Sequence, residues 1–272
     1  MPELPEVETI RRTLQNGADE QPSLLGMRIV QAYLNWERTL AVPQATEFYT
    51  RIAGQIIQEI GRRGKYLVFR LNPDYLLVHL RMSGDLRLER QNQPEQPHDR
   101  LALDFDSGWR LAFNDPRKFG RAWLVEDPQI VLSGLGPEPL GDEFTAAWLE
   151  DELQRRHRQL KPLLLDQSFI AGLGNIYTDE ALHRARLHPL IPADQVTAEE
   201  AGRLWESIRV VLLEGIQRQG ASIDWVYRGG DFQNYFGVYQ RTGQPCPVCG
   251  TPIERLVVGQ RGTHICPNCQ PI

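Results

Sequence analysis

All four cysteines of the 272-residue chain lie near its end, as Cys246-x2-Cys249 and, after sixteen residues, Cys266-x2-Cys269. The two-residue spacing lets a pair of thiolates from one tight turn reach the same ion. A second such turn completes a tetrahedron with Zn–S distances near ~2.3 Å. Pro245, Pro247 and Gly250 around one pair, and Pro267 and Asn268 within the other, suit such knuckles. Paired disulfides are the alternative, and they fit poorly with a chain read as cytosolic and with no spare cysteine. A closed set of four thiolates leaves no open position, so the zinc it predicts is structural rather than catalytic. The intervening hairpin would carry Gln260, Arg261 and Gly262 near its tip, where Arg261 could donate to a phosphate. Alone, this is a zinc ribbon, a module shared by enzymes, transcription factors and ribosomal proteins.

The other end offers a nucleophile. The chain opens Met1-Pro2-Glu3-Leu4-Pro5-Glu6. Removal of Met1 leaves Pro2 as a free secondary amine with two carboxylates, Glu3 and Glu6, within a few residues. A terminal amine with a reference pKa near ~8 is roughly 10% neutral at pH 7, far more than lysine at ~10.4. A proline amine is more basic than that reference, so the figure is an upper estimate. Three basic clusters offer phosphate contacts: Arg62, Arg63 and Lys65; Arg117, Lys118 and Arg121; and Arg155, Arg156, Arg158 and Lys161. The net charge of −5, from 30 basic and 35 acidic side chains, is a counter-signal to simple nucleic-acid binding. Any one cluster alone reads as a solvated face.

The elements that must position these groups follow from periodicity. Residues 3–16 read as a helix with Val7, Ile10 and Leu14 on one face, and with Glu3 and Glu6 in a first turn that favours carboxylates. Residues 65–71, 75–80 and 121–125 read as strands. Leu101, Leu103 and Phe105 alternate, Ser107-Gly108 turns the chain, and Trp109, Leu111 and Phe113 alternate again, which is a hairpin signature. Many short strands punctuated by Gly, Pro and Asn predict a β-sandwich or barrel. Residues 133–141 break both periods and read as a linker. Beyond them, Phe144, Trp148, Leu149 and Leu153 suit one helix, and Leu204, Ile208, Val211 and Leu212 another. Gly172-Leu173-Gly174-Asn175 is a tight turn, and residues 220–236 read as a long loop. No run of eighteen apolar residues and no secretory signal is present, so a cytosolic, non-membrane protein is expected.

Taken in order, these pieces resemble the bacterial formamidopyrimidine-DNA glycosylases. The resemblance rests on Met1-Pro2-Glu3-Leu4-Pro5-Glu6-Val7-Glu8-Thr9, Arg63-Gly64-Lys65-Tyr66-Leu67, His79-Leu80-Arg81-Met82-Ser83-Gly84, Asn114-Asp115-Pro116-Arg117-Lys118-Phe119-Gly120, Gly172-Leu173-Gly174-Asn175-Ile176-Tyr177, and the cysteine array with Thr263-His264-Ile265-Cys266. It implies an α+β multidomain fold. An N-terminal β-sandwich with an N-terminal helix would span 1–133 and a linker 134–141. A helix–two-turns–helix domain would span 142–236, with a lesion-recognition loop at 220–236. A four-cysteine zinc finger would span 237–272, with duplex DNA held in the cleft between the domains.

The resemblance also implies roles. Pro2 would attack C1′ of the damaged nucleotide, Glu3 would act beside the sugar ring oxygen, and Glu6 would hold the N-terminal segment. Lys65 would serve the elimination steps, and Arg261 would grip the phosphates flanking the lesion. A base must leave the stack before C1′ can be reached, and Met82, Arg117 and Phe119 would fill the space it leaves. His98, Arg156, Lys161 and Asn175 would contact the DNA backbone. The implied activity is that of a monomeric bifunctional glycosylase/lyase for oxidised purines, carrying one structural zinc and acting in the bacterial cytosol and nucleoid. Gln219-Gly220-Ala221-Ser222-Ile223 departs from the family's usual recognition-loop sequence, which leaves lesion preference the most exposed assignment. An oxidised-pyrimidine glycosylase of the same superfamily and a non-catalytic zinc-containing DNA-binding protein remain as alternatives.

Overall fold

The computed structural model describes residues 1–18, 20–223 and 229–272. It forms two compact units. The first holds residues 1–2, 6–133 and 222–223, and the second holds 3–5, 134–221 and 229–272. Helix α1 (Leu4–Asn16) therefore begins in one unit and continues in the other.

The first unit carries β1 (Ile29–Leu34), β2 (Leu40–Val42), α2 (Ala45–Ile52), β3 (Glu59–Arg63), β4 (Tyr66–Arg70), β5 (Tyr75–His79), β6 (Asp85–Arg90), β7 (Asp99–Phe105), β8 (Trp109–Asn114), β9 (Arg121–Val125) and α3 (Gln129–Leu132). Its strands form a four-stranded sheet, β1-β7-β8-β6, and a five-stranded sheet, β2-β9-β5-β4-β3. All the pairings are antiparallel except β2 with β9. Both sheets contribute to one core that includes Ile60, Leu67, Phe69, Val78, Leu103, Phe105, Leu111 and Phe113. This is the expected β-sandwich, and the 101–113 hairpin is β7–β8. Val7, Ile10 and Leu14 of α1, spaced three and four apart, join that core. Burying each contributes about 1.5–3 kcal/mol, which fixes α1 along its length.

The second unit carries α4 (Ala146–Gln154), α5 (Leu160–Leu164), α6 (Asn175–Ala185), α7 (Ala198–Gln217) and the hairpin of β10 (Glu254–Val258) and β11 (Arg261–Ile265). Helix α7 starts on a capping box in which Thr197 and Glu200 satisfy each other's backbone amides. A methyl at Gly215 would lie 2.5 Å from the Tyr177 ring, so glycine there lets α7 approach α6 closely. Tyr177 stacks on Phe232 with ring centroids 5.3 Å apart.

Two sequence expectations change in detail. Residues 134–141 carry no helix or strand but are tied down, with Gly136 N donating to Gln167 O and Ala171 N to Pro137 O. Within 220–236, read as loop throughout, Phe232–Tyr235 forms a 3-10 turn because the buried Phe232 packs against Tyr177 and Phe236. Residues 224–228 of that segment lie outside the described residues. No helix among the described residues is long and apolar enough to cross a membrane.

Candidate functional site

The Gly172–Asn175 turn is a receptor for the start of the chain. Leu4 N donates to Gly172 O at 3.1 Å. The Glu3 carboxylate accepts from Ile176 N at 3.0 Å and Tyr177 N at 3.3 Å. Those amides belong to the first turn of α6, where the helix dipole favours an anion. Two glycines make room. At Gly172, with φ +90, a methyl would lie 2.7 Å from a Leu4 methyl, and at Gly174 a methyl would lie 2.2 Å from the Glu3 carboxyl carbon. Residue 3 is thus fixed by side chain and by backbone, and Pro2, itself buried, precedes it directly. Glu6 is buried in the first turn of α1.

Within the sandwich unit, Lys65 sits at the two-residue Gly64-Lys65 turn joining β3 to β4 and is nevertheless buried. His79 ends β5, opposite Tyr66 in the β4 register, with its ring edge-on to the Tyr66 ring. Burial, together with the charges of Arg81 and Lys65, pushes the His79 pKa down to about 3, so its imidazole is neutral. Its Nδ1 accepts from Arg81 N at 3.0 Å. Sequence reasoning quoted His79 within a motif but gave it no role; what marks it is its cross-strand position beside the β3–β4 turn.

The Asn114–Gly120 loop is built around one carboxylate. Asp115 accepts from Gly120 N at 2.7 Å, from Arg117 N at 3.2 Å and from the Ser83 hydroxyl in a short contact. It therefore binds the Met82-Ser83 turn and the Arg117–Phe119 segment to each other. Lys118 adopts a left-handed conformation (φ 61), and its ammonium lies 4.0 Å from the centroid of Trp36. Arg117 stacks over Phe119 at 5.0 Å, and Phe119 is 49% exposed. Met82 is half-buried. The loop thus presents an apolar ring and a guanidinium together to solvent. Sequence reasoning missed Asp115 and Ser83, although both lie inside motifs it quoted. His98 is exposed at φ 94, its backbone carbonyl taking Asp115 N and its ring Nδ1 taking Arg100.

In the second unit the zinc-finger hairpin turns at Gly259-Gln260, both left-handed, between the paired Val258 and Arg261. Arg261 is exposed. The backbone behind it is held from α6: Asn175 Nδ2 donates to Gly262 O at 2.9 Å, and His264 N donates to Asp179 at 2.9 Å. Lys161, expected on the DNA backbone, is placed elsewhere. It has no solvent exposure, and its ammonium donates to Asp179 at 2.5 Å, Thr263 Oγ1 at 2.8 Å and Gly262 O at 3.3 Å. Burial pulls its pKa down and Asp179 pushes it back up. The physical reason is the counter-ion: Asp179, on another helix, turns an apparent surface lysine into half of a buried pair. Arg156 is half-buried, ion-paired to Glu152 and stacked 5.0 Å over Phe169.

The four cysteine sulfurs lie within 4.8 Å of one another, with Cys249–Cys266, Cys249–Cys269 and Cys246–Cys269 at 3.4, 3.5 and 3.9 Å. A tetrahedron with Zn–S bonds of ~2.3 Å has edges of about 3.8 Å, so the donor set fits zinc. Val248 N points at Cys246 Sγ and Cys269 N at Cys266 Sγ, both at 3.4 Å, supplying the amide donors that stabilise thiolates. Hydrogen bonds from Thr251 and Asn268 push the exposed Cys249 down to about 5, while burial pushes Cys269 up.

Comparison with known proteins covers the same ground. Residues 1–122 match the family model for the formamidopyrimidine-DNA glycosylase N-terminal domain, 135–226 that for the formamidopyrimidine-DNA glycosylase H2TH domain, and 243–272 that for the zinc finger found in FPG and IleRS. The chain is 47% identical to the formamidopyrimidine-DNA glycosylase of Protochlamydia amoebophila, over 99% of each. It matches the structure of Lactococcus lactis FPG with a Fapy-dG-containing DNA at 36% identity and a TM-score of 0.92, over 99% of this chain and 100% of that one. It matches the same enzyme with an oxidised-pyrimidine-containing DNA equally well, at 36% identity and a TM-score of 0.92 over 100% of each chain. With family models covering nearly its whole length and relatives matching end to end, the chain belongs to the formamidopyrimidine-DNA glycosylase family of zinc-finger DNA-repair enzymes.

Proposed function

We propose that the protein removes oxidised purines, 8-oxoguanine and formamidopyrimidines, from duplex DNA and then cleaves the strand at the resulting site. The observation that supports this reading is the seat of residues 3 and 4, which directly follow Pro2, on the Gly172–Tyr177 turn.

With Met1 removed, the Pro2 lone pair attacks C1′ and the bond from C1′ to the base breaks, the base leaving with the electron pair and taking up a proton. Opening of the sugar then transfers a proton to the ring oxygen, the atom beside which Glu3 acts, and leaves a C1′ iminium. Because proline is a secondary amine, that iminium is permanently cationic and acidifies the C2′ proton. Loss of that proton expels the 3′ phosphate, a second elimination expels the 5′ phosphate, and water frees Pro2. Lys65 serves these eliminations, and Glu6 holds the N-terminal turn. Met82, Arg117 and Phe119 occupy the space left by the everted nucleotide. His98, Arg156, Asn175 and Arg261 contact the DNA backbone, and Lys161 acts through the hairpin that carries Arg261.

In this reading residues 1–133 are the catalytic domain, 134–141 the linker, 142–236 the helix–two-turns–helix domain with its recognition loop at 220–236, and 237–272 the zinc finger. A DNA substrate places the enzyme in the cytosol and nucleoid. Selectivity follows from one atom: 8-oxoguanine carries a donor at N7 where guanine carries an acceptor, so a site that accepts from N7–H leaves normal guanine unpaired. A second reading, an enzyme for oxidised pyrimidines, is favoured by the similarity to a relative captured on such a DNA.

Borohydride trapping tests the mechanism. The mature protein should form a covalent adduct with an 8-oxoguanine duplex, and a form retaining Met1, whose Pro2 is locked in an amide, should form none. Absence of the adduct from the mature protein would overturn the proposal. Running an oxidised-pyrimidine duplex in parallel ranks the two substrate classes.

A further inference from the structure

We propose that His183 is a positioning residue for the structural zinc, donating its Nε2–H to the Cys246 thiolate from outside the finger. His183 lies in the last turn of α6 and is buried at 7% exposure. Its Nε2 stands 3.4 Å from Cys246 Sγ, and Cys246 is itself only 3% exposed.

Chemistry fixes the direction of that contact. A zinc-bound cysteine has given up its proton, so its sulfur can only accept, and a ring nitrogen facing it with a lone pair would be repelled. The imidazole therefore carries its hydrogen on Nε2. Val248 N supplies a second donor to the same sulfur at 3.4 Å. Two N–H donors withdraw charge from the Cys246 thiolate while it remains a ligand, and they aim its lone pairs.

The ring is held in place by its surroundings. A methyl at Gly237 would lie 2.9 Å from His183 Nδ1, so the backbone there is flush against the imidazole. One turn earlier on α6, the buried Glu180 carboxylate accepts from the backbone N–H groups of Gly237, Val238 and Tyr239, at 2.8, 3.0 and 2.8 Å. That clamp sets the distance between α6 and the segment leading into the finger. A recess of about 280 Å³ opens on the same side, lined by Glu180, His183, Pro247, Val248 and Cys269 among others. It gives small molecules an approach to the cluster, with His183 as part of its wall. The helix thus reinforces the metal site where a chelator or an oxidant would arrive.

The test uses the full-length zinc-loaded protein and reads metal, not repair. Under challenge with a coloured chelator, His183→Phe, which keeps the ring volume and loses the donor, should release zinc ~10-fold faster or more. His183→Gln, whose amide N–H reaches to a similar distance, should stay within about threefold of the wild type. In the cobalt-substituted proteins the sulfur-to-metal charge-transfer band should move to lower energy in the phenylalanine variant and hold its place in the glutamine variant. Equal release from wild type and His183→Phe, or equal acceleration in both variants, would overturn the proposal, the latter by assigning the effect to packing. The wild type alone decides the matter if a variant fails to fold. Nitrogen NMR of the zinc-loaded protein should find His183 protonated at Nε2, and protonation at Nδ1 alone would refute the hydrogen bond.

Discussion

Two basic clusters that look alike on paper have opposite fates. Arg117 and Lys118, with Phe119, stand on a loop whose side chains are exposed, and the loop's own carboxylate, Asp115, is used up on backbone amides and Ser83. In the cluster at 155–161 each charge meets an acid brought by the fold, Arg155 sharing Glu152 with Arg156. Arg156 meets Glu152, Arg158 meets Asp166, and Lys161 meets Asp179 with both partners at 0% exposure. The difference teaches that a run of like charges reports on function only through where its counter-ions sit. In one region the backbone takes the acid and Arg117 and Lys118 stay exposed; in the other the acids take the cations.

The largest effect expected from that difference is at Lys161. Lys161→Met leaves Asp179 charged, buried and uncompensated, so denaturant unfolding should register a loss of about 3–5 kcal/mol. Full stability with weakened DNA binding would instead mean that the ammonium faces DNA. The loop should behave in the reverse way. Phe119→Ala should leave the unfolding midpoint in place yet weaken binding to a lesion-containing duplex by about 1–3 kcal/mol, the range for an aromatic stacked on a base. A drop in stability of similar size would make Phe119 a packing residue and erase the contrast.

A smaller effect comes from an intermediate case, Glu8 on α1. Burial pushes its carboxyl up, but hydrogen bonds from Arg11 and Arg12 and the charge of Arg62 outweigh that and bring it from 4.5 down to about 2. A group whose folded pKa is depressed stabilises the protein above its unfolded pKa and loses that contribution as pH falls through the folded one. Glu8→Gln should therefore be less stable near neutrality, and its unfolding curve should converge on that of the wild type between pH 4.5 and about 2. Parallel pH profiles would show that the arginines hold Glu8 no better in the folded chain than in the unfolded one.

Legibility in the sequence follows the range of the interactions. The period of Val7, Ile10 and Leu14, the 101–113 alternation and the cysteine spacing are local patterns, and each leads to the element it predicts. The short α5 escaped, because its five residues span less than two helical periods. What stayed hidden is pairwise and distant. Asp179 lies eighteen positions from Lys161 and reaches on to His264, 85 positions further, so no window of sequence places that acid with the cluster at 155–161. The meeting of Glu3 with Gly174 was invisible for the same reason, although both motifs could be quoted. His183 gave no signal at all, since a single histidine on a helix is read as core or as surface until a sulfur is found beside it.

The seat of Glu3 sets an order on the life of each molecule. Its carboxylate and the amide of Ile176 are 173 positions apart in the chain. A ribosome reading the message releases residue 3 long before it has made the turn that holds it. The amine that would attack DNA is therefore among the first groups synthesised and among the last to be placed. On the mechanism proposed above, a nascent or truncated chain carries Pro2 without the turn that holds residue 3, and activity awaits the second folding unit.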